Sequence, residues 1–130
     1  MIDQILEMEK GKRIRAHKSV TVNEFYLAGH FPDVPIVPGV MTLEGMLQCA
    51  LILVNEFYSR GKVTSTLEKV DRLKFKRPVV PGDQLEFQVQ LTAQAAHAFK
   101  FKGKALVGKE TAAEADFILK ISIREVGFEL

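Results

Sequence analysis

The stretch from Val40 to Val54 decides what this chain can be. It reads V-M-T-L-E-G-M-L-Q-C-A-L-I-L-V, and the apolar pattern runs on to about Tyr58. Wound as a helix at roughly 100° per residue, its apolar positions cover most of the circumference. Glu44, Gln48 and Asn55 remain as one polar stripe about 40° wide. A helix apolar nearly all round belongs in an interior, which would take the Glu44 carboxyl out of water near the first turn. A carboxyl buried there costs free energy unless something satisfies or uses it. The run is too short for a membrane span, which takes about 20 apolar residues, and it carries Glu44 and Gln48.

Such a helix cannot be covered by a flat sheet on one side, so a strongly curved sheet must wrap it. The rest of the chain supplies the strands. Ile2–Met8 and Arg13–Val22 flank a turn-like E-K-G-K and predict a hairpin, with His17 on its wet face. Asn23–Ala28 has the pattern of a short helical turn. Ser59-Arg60-Gly61-Lys62 ends the long helix with a late glycine and cations suited to its C-terminal dipole. A strand over Ser65–Lys76 is stopped by Pro78 and turned by Pro81-Gly82-Asp83. Gln84–Leu91 follows with strict alternation of Leu85, Phe87, Val89 and Leu91 against polar residues. A tip at Gln94–Ala98 exposes His97 and leads to a period-two run, Phe99–Lys104. After a turn near Gly108-Lys109, Ala115, Phe117, Leu119, Ile121 and Ile123 share one face. The expectation is one α+β domain over residues 1–130, with about six antiparallel strands around one long helix. A single layer leaves one side of the helix and the sheet edges open, so a dimer is expected.

Composition narrows the function classes. A net charge of +2 is too weak to argue for nucleic acid. One cysteine, Cys49, excludes an internal disulfide and fits core filling, because no histidine at nucleophile or metal spacing accompanies it. The start, M-I-D-Q-I-L-E-M-E-K, is acidic where a secretory signal is basic and then apolar, so a cytoplasmic location is expected.

The segment before the helix carries the chemistry. Between His30 and Gly39 stand Pro32, Pro35 and Pro38, and proline fixes φ and lacks an amide proton. The segment is therefore a stiff loop that presents His30 in one orientation. Pro38-Gly39 sits where the helix begins, and free amides at a helix start favour developing negative charge. Gly39 lacks a Cβ, so a ligand can approach its amide. A histidine base, a carboxyl and an amide donor converge in one loop-helix unit, which suits acid-base chemistry beside a carbonyl. Each has a plainer role. A histidine in such a loop can be structural, Glu44 an ion-pair partner, Gly39 only a helix-start glycine.

At Gly29–Gln48 the residues G-H-F-P-D-V-P-I-V-P-G-V, then T-L-E-G-M-L-Q, closely resemble the signature of the hot-dog-fold 3-hydroxyacyl-acyl carrier protein dehydratases of FabZ type. A second stretch, K-F-K-R-P-V-V-P-G-D at Lys74–Asp83, resembles the family's later strand and turn, and similarity extends from about Ile2 to Ile123. The resemblance implies dehydration of a 3-hydroxyacyl thioester, carried on acyl carrier protein or coenzyme A, to the trans-2-enoyl thioester. His30 would take the C2 proton and Glu44, held protonated by an apolar setting, would give its proton to the departing hydroxyl. Phe31, Gly39, Val40 and Gln48 would bind substrate or its oxyanion, Gln48 orienting Glu44 or satisfying a backbone group. No metal or organic cofactor is implied. Histidine and acid would come from different subunits of a homodimer, and a trimer of dimers fits the resemblance.

Arg72, Lys74, Lys76, Arg77, Lys100, Lys102 and Lys104 are the cations that could meet an acidic carrier protein, or they are solvated strand faces. Two departures from the family pattern point to a paralogue in a specialised pathway. The chain starts at the first strand without the usual lead-in, and Gly45 and Leu47 stand where small alanines are usual. The rival expectations are a hot-dog acyl thioesterase and a catalytically silent acyl-binding subunit.

Overall fold

A computed structural model describes residues 2–21, 37–55 and 62–124. Its elements are β1 (Gln4–Glu9), β2 (Arg13–Ser19), α1 (Gly39–Asn55), β3 (Lys62–Phe75), β4 (Gln84–Ala95), β5 (Ala98–Val107) and β6 (Glu110–Arg124). The helical turn expected at Asn23–Ala28, the helix end at Ser59–Gly61, and both His30 and Phe31 lie outside the described residues.

The six strands form one antiparallel sheet in the order β1-β2-β4-β5-β6-β3. Three of the pairings are hairpins, as the turn signals require. The β4–β5 tip is Ala96-His97 and the β5–β6 tip is Gly108-Lys109, with Gly108 at φ 62°. The fourth and fifth pairings are not local: β2 joins β4, and β3 crosses to pair with β6 and takes an edge.

The alternating strand pattern places one residue set against the helix. Ala16, Phe87, Ala105 and Ala113 lie side by side across β2, β4, β5 and β6, all buried. Three small residues around one large ring leave Phe87 room to reach the helix. In the neighbouring row Ile14, Val89, Gly103 and Ala115 are aligned. There the missing Cβ of Gly103 leaves space for the Met46 sulfur. The Phe101 and Phe117 rings stack with centroids 5.4 Å apart.

On α1, Thr42, Gly45, Met46, Cys49, Ala50, Leu53 and Val54 are buried, at the three- and four-residue spacing of a single helix face. That face packs on β4, flanked by β2 and β5. Cys49 is core filler as expected, and burial pushes its thiol up to about 12, leaving it neutral and unreactive.

One side of the helix is open, as a single layer requires, and the expected burial of Glu44 needs correcting for the single chain. The sheet covers one side only. Glu44 and Asn55 are exposed, Val40 is 67% exposed, and Leu43, Leu47, Gln48, Leu51 and Ile52 are half-buried. The edge strands do not close over this side: Ile5 and Leu6 on β1 are exposed, as are Leu67, Leu73 and Phe75 on β3. Glu44 is therefore not buried by its own sheet.

The outer sheet face is polar. Arg15 Nε donates to Glu86 Oε2 at 2.9 Å and its Nη1 to Glu7 Oε2 at 3.0 Å, tying β1, β2 and β4 together. His17 hydrogen-bonds Gln84 on the same face. The Arg15 hydrogen bond holds the Glu86 carboxyl below its ordinary range, and the Ser19 amide does the same for Asp3. Both shifts favour the ionised carboxylate in the folded state. Their stabilisation is present above the ordinary carboxylate range and is lost as pH falls through the depressed folded values. Urea unfolding as a function of pH is expected to show this acid loss, and Glu86→Gln is expected to shrink it.

Candidate active site

The helix start is built by hydrogen bonds from both sides. The Met41 amide donates to the Pro38 carbonyl at 2.9 Å, and the Val37 amide reaches across to the Val79 carbonyl at 2.7 Å. Gly39 opens α1, where the first amides have no partner within the helix. The reason for glycine there is visible: a Cβ would lie 2.6 Å from Cζ of Phe75. The space beside Gly39 Cα is thus taken by the Phe75 ring, which is itself 52% exposed. Beneath it lies a cavity of about 360 Å³ lined by Val37, Gly39, Thr42, Phe75, Arg77 and Ala113 among others. Thr42 is its buried polar residue.

Glu44 and Gln48 stand one turn apart on the open side of α1. They share a face because four residues make slightly more than one helical turn. Glu44 is exposed and Gln48 half-buried. Gln48 borders a second, shallow hollow of about 490 Å³ with Ile2, Asp3, Gln4, Ile5 and Ile52. Thr42 and Glu44 point about 160° apart around the axis. A single chain therefore does not bring Glu44 to the cavity at Gly39. Val40, 67% exposed, lies at the helix start one turn before Glu44 and on its side of the helix. His30 and Phe31 are outside the described residues.

The cations divide into two sets. Arg72 pairs with Asp116 at 3.7 Å, Lys76 with Glu114 at 3.3 Å, and Arg77 with Glu110 at 2.8 Å and Asp83 at 3.3 Å. Lys74, Lys100, Lys102 and Lys104 make no ion pair among the described residues. Arg77 was grouped in the sequence with the basic surface; its 27% exposed side chain instead ties two turns together. The only hint was an arginine and an aspartate bracketing the proline turn P-V-V-P-G. No group of histidine, cysteine, aspartate and glutamate among the described residues could hold a metal.

A family model described as a FabA-like domain matches residues 1–116. The 3-hydroxyacyl-[acyl-carrier-protein] dehydratase FabZ of Variovorax paradoxus is 48% identical over 120 residues, covering 88% of this chain and 79% of that protein. This chain belongs to the FabA-like family. The FabZ of a Polaromonas species is 46% identical over 121 residues, covering 91% of this chain and 83% of its own length. Among solved structures, a dehydratase heterocomplex from Xenorhabdus doucetiae matches with TM-score 0.76 at 12% identity, over 95% of this chain and 83% of that one. A probable thioesterase from Bartonella henselae matches with TM-score 0.65 at 13% identity, over 89% of this chain and 99% of that one. These distant structures share the fold, the hot-dog arrangement of one helix on a curved antiparallel sheet. Among the described residues no helix is long and apolar enough to cross a membrane.

Proposed function

We propose that this protein removes water from 3-hydroxyacyl thioesters held on an acyl carrier protein, giving trans-2-enoyl thioesters for fatty acid synthesis. The observation that carries this is the identity of nearly half to FabZ dehydratases across most of the chain. Within that span the G-H-F-P loop, Gly39 and Glu44 are all present.

His30, neutral near pH 7, takes the proton from C2. The charge moving onto the thioester oxygen meets the Gly39 amide at the start of α1. As the C2=C3 bond forms, the C3 hydroxyl leaves with the proton of Glu44, so one water departs. His30 is left protonated and Glu44 ionised, and proton exchange with solvent resets both. Phe31, Val40 and Gln48 bind around the acyl thioester. No step calls for a metal or organic cofactor.

The catalytic unit is a homodimer. The open side of α1, with half-buried Leu43, Leu47, Leu51 and Ile52 around Glu44, supports this, as does the β3 edge. A second copy on that face would take Glu44 out of water, the condition under which a carboxyl keeps its proton. It would also let the acid of one chain serve the histidine of the other. The proposed place of action is the cytoplasm, which a carrier-bound substrate fits.

The deciding test is wild-type protein with a crotonyl thioester on acyl carrier protein and on coenzyme A. Loss of enoyl absorbance without release of thiol is the expected result. Thiol release without hydration would replace the dehydratase with a thioesterase. Neither signal would leave an acyl-binding subunit.

A further inference from the structure

The turn between β3 and β4 is the meeting point of segments that are distant in the chain. Its Val79 carbonyl accepts from the Val37 amide at 2.7 Å. Its Asp83 carbonyl accepts from the Val20 amide at 3.0 Å, and its Gly82 amide donates back to the Val20 carbonyl at 2.8 Å. Val20, Val37 and Val79 are all buried, so the Val37–Val79 bond is shielded from water and fixes the helix start firmly. Val20 and Val37 are the described anchor points between which the chain carries His30, and Val37 lies two residues before Gly39. One turn therefore sets where the histidine-bearing stretch is attached and where the oxyanion donor stands.

The turn in turn has its own fastening. Asp83 Oδ2 accepts from the Val80 amide at 3.0 Å and from Arg77 Nη2 at 3.3 Å. Arg77 also donates through Nη1 to Glu110 at 2.8 Å and through Nε to the Pro78 carbonyl at 3.2 Å. Its backbone amide donates to the Ala112 carbonyl at 3.3 Å. The Arg77 and Asp83 side chains are only 27% and 16% exposed, whereas Glu110 is 65% exposed. The pair is thus the inner part of the network and Glu110 its solvated outer leg.

We infer that Arg77 and Asp83 are positioning residues for the reaction: by bracing the Pro78–Asp83 turn they hold Val20 and Val37, and with Val37 the Gly39 oxyanion donor two residues on. This rests on the dehydratase function proposed above. Their polar atoms are engaged with the turn itself and with Glu110. Replacing the Asp83 carboxylate by an amide removes the charge that holds Arg77 and weakens the acceptor it shares with the Val80 amide, which loosens the Val79 and Asp83 carbonyls. A displacement of about 1 Å between reacting groups costs about 10²-fold in rate.

The test uses the full chain with Asp83→Asn, Arg77→Gln, Arg77→Lys and Glu110→Gln. Hydration of a crotonyl thioester is followed well below each variant's melting temperature, and amide hydrogen exchange is read at Val20 and Val37. Asp83→Asn and Arg77→Gln are expected to lower kcat by about 10²-fold with KM within about twofold. Exchange at both valines is expected to accelerate. Arg77→Lys keeps the charge and recovers part of kcat, and Glu110→Gln matches wild type. A lowered melting temperature with kcat intact would overturn the inference and leave the pair purely structural. If Asp83→Asn does not fold, the Arg77→Gln and Arg77→Lys comparison decides by the same criteria. If wild-type protein shows no turnover, the proposed function fails. Exchange then judges the brace alone, upheld by acceleration at Val20 and Val37 and overturned by its absence.

Discussion

Gly45→Ala is expected to destabilise this protein by about 1–3 kcal/mol, against the usual effect of alanine in a helix. Helix propensity alone predicts a gain of about 1 kcal/mol, because glycine loses the most backbone freedom on folding. Local contact decides otherwise. A Cβ on Gly45 would lie 2.2 Å from Cζ of Phe87, with two more ring atoms at 2.6 and 2.7 Å. Phe87 is fully buried between Ala16 and Ala105, so the ring has nowhere to swing. The departure from alanine at this position is therefore matched by the phenylalanine opposite. Equilibrium unfolding in urea measures the loss, and adding Phe87→Leu should recover part of it. A variant more stable than wild type would contradict the packing argument.

Glu44→Gln is expected to reduce turnover by about 10²–10⁴-fold, the range for loss of a general acid. The substitution is nearly isosteric and removes the proton that leaves with the hydroxyl. Because glutamine keeps the shape and polarity of a protonated glutamate, whether exposed or covered by a second copy, unfolding stability should change by less than about 1 kcal/mol. A large rate loss with little stability loss separates chemistry from structure. His30→Ala should lose turnover comparably, and the double variant little more, since the two groups act in one step. Mixing inactive His30→Ala and Glu44→Gln chains should restore some activity if each site draws on both copies. Retained turnover in Glu44→Gln would place the general acid elsewhere.

The fold was legible where period and function of a residue coincide. The alternation over Gln84–Leu91 and Phe99–Lys104 located β4 and β5, and the turn residues located both tips. Strand order was not legible, because alternation tells which face a residue takes and not which strand lies beside it. The pairing of β3 with β6 has no local signal, nor does the break in register between Asp71 and Lys74, where Arg72 adopts φ 53°. At the site, the G-H-F-P loop and the Glu44–Gln48 spacing pointed to acid-base chemistry through their resemblance to a family motif, and His30 and Phe31 lie outside the described residues. How far Glu44 is enclosed depends on the reach of the sheet, and periodicity around a helix carries no information about that. The bracing of Arg77 by Asp83 and Glu110 joins segments that are neighbours only once the sheet has formed.

The position of β3 has a consequence for how the chain comes off the ribosome. Within the described sheet β3 is attached only through β6, the last strand to be made. Until Glu110–Arg124 has emerged, β3 has no strand partner among the described residues, and its backbone groups stay available to other nascent chains. The β3 edge therefore has to wait for a strand that is made later. Slowing translation late in the message would lengthen the time this edge stands open.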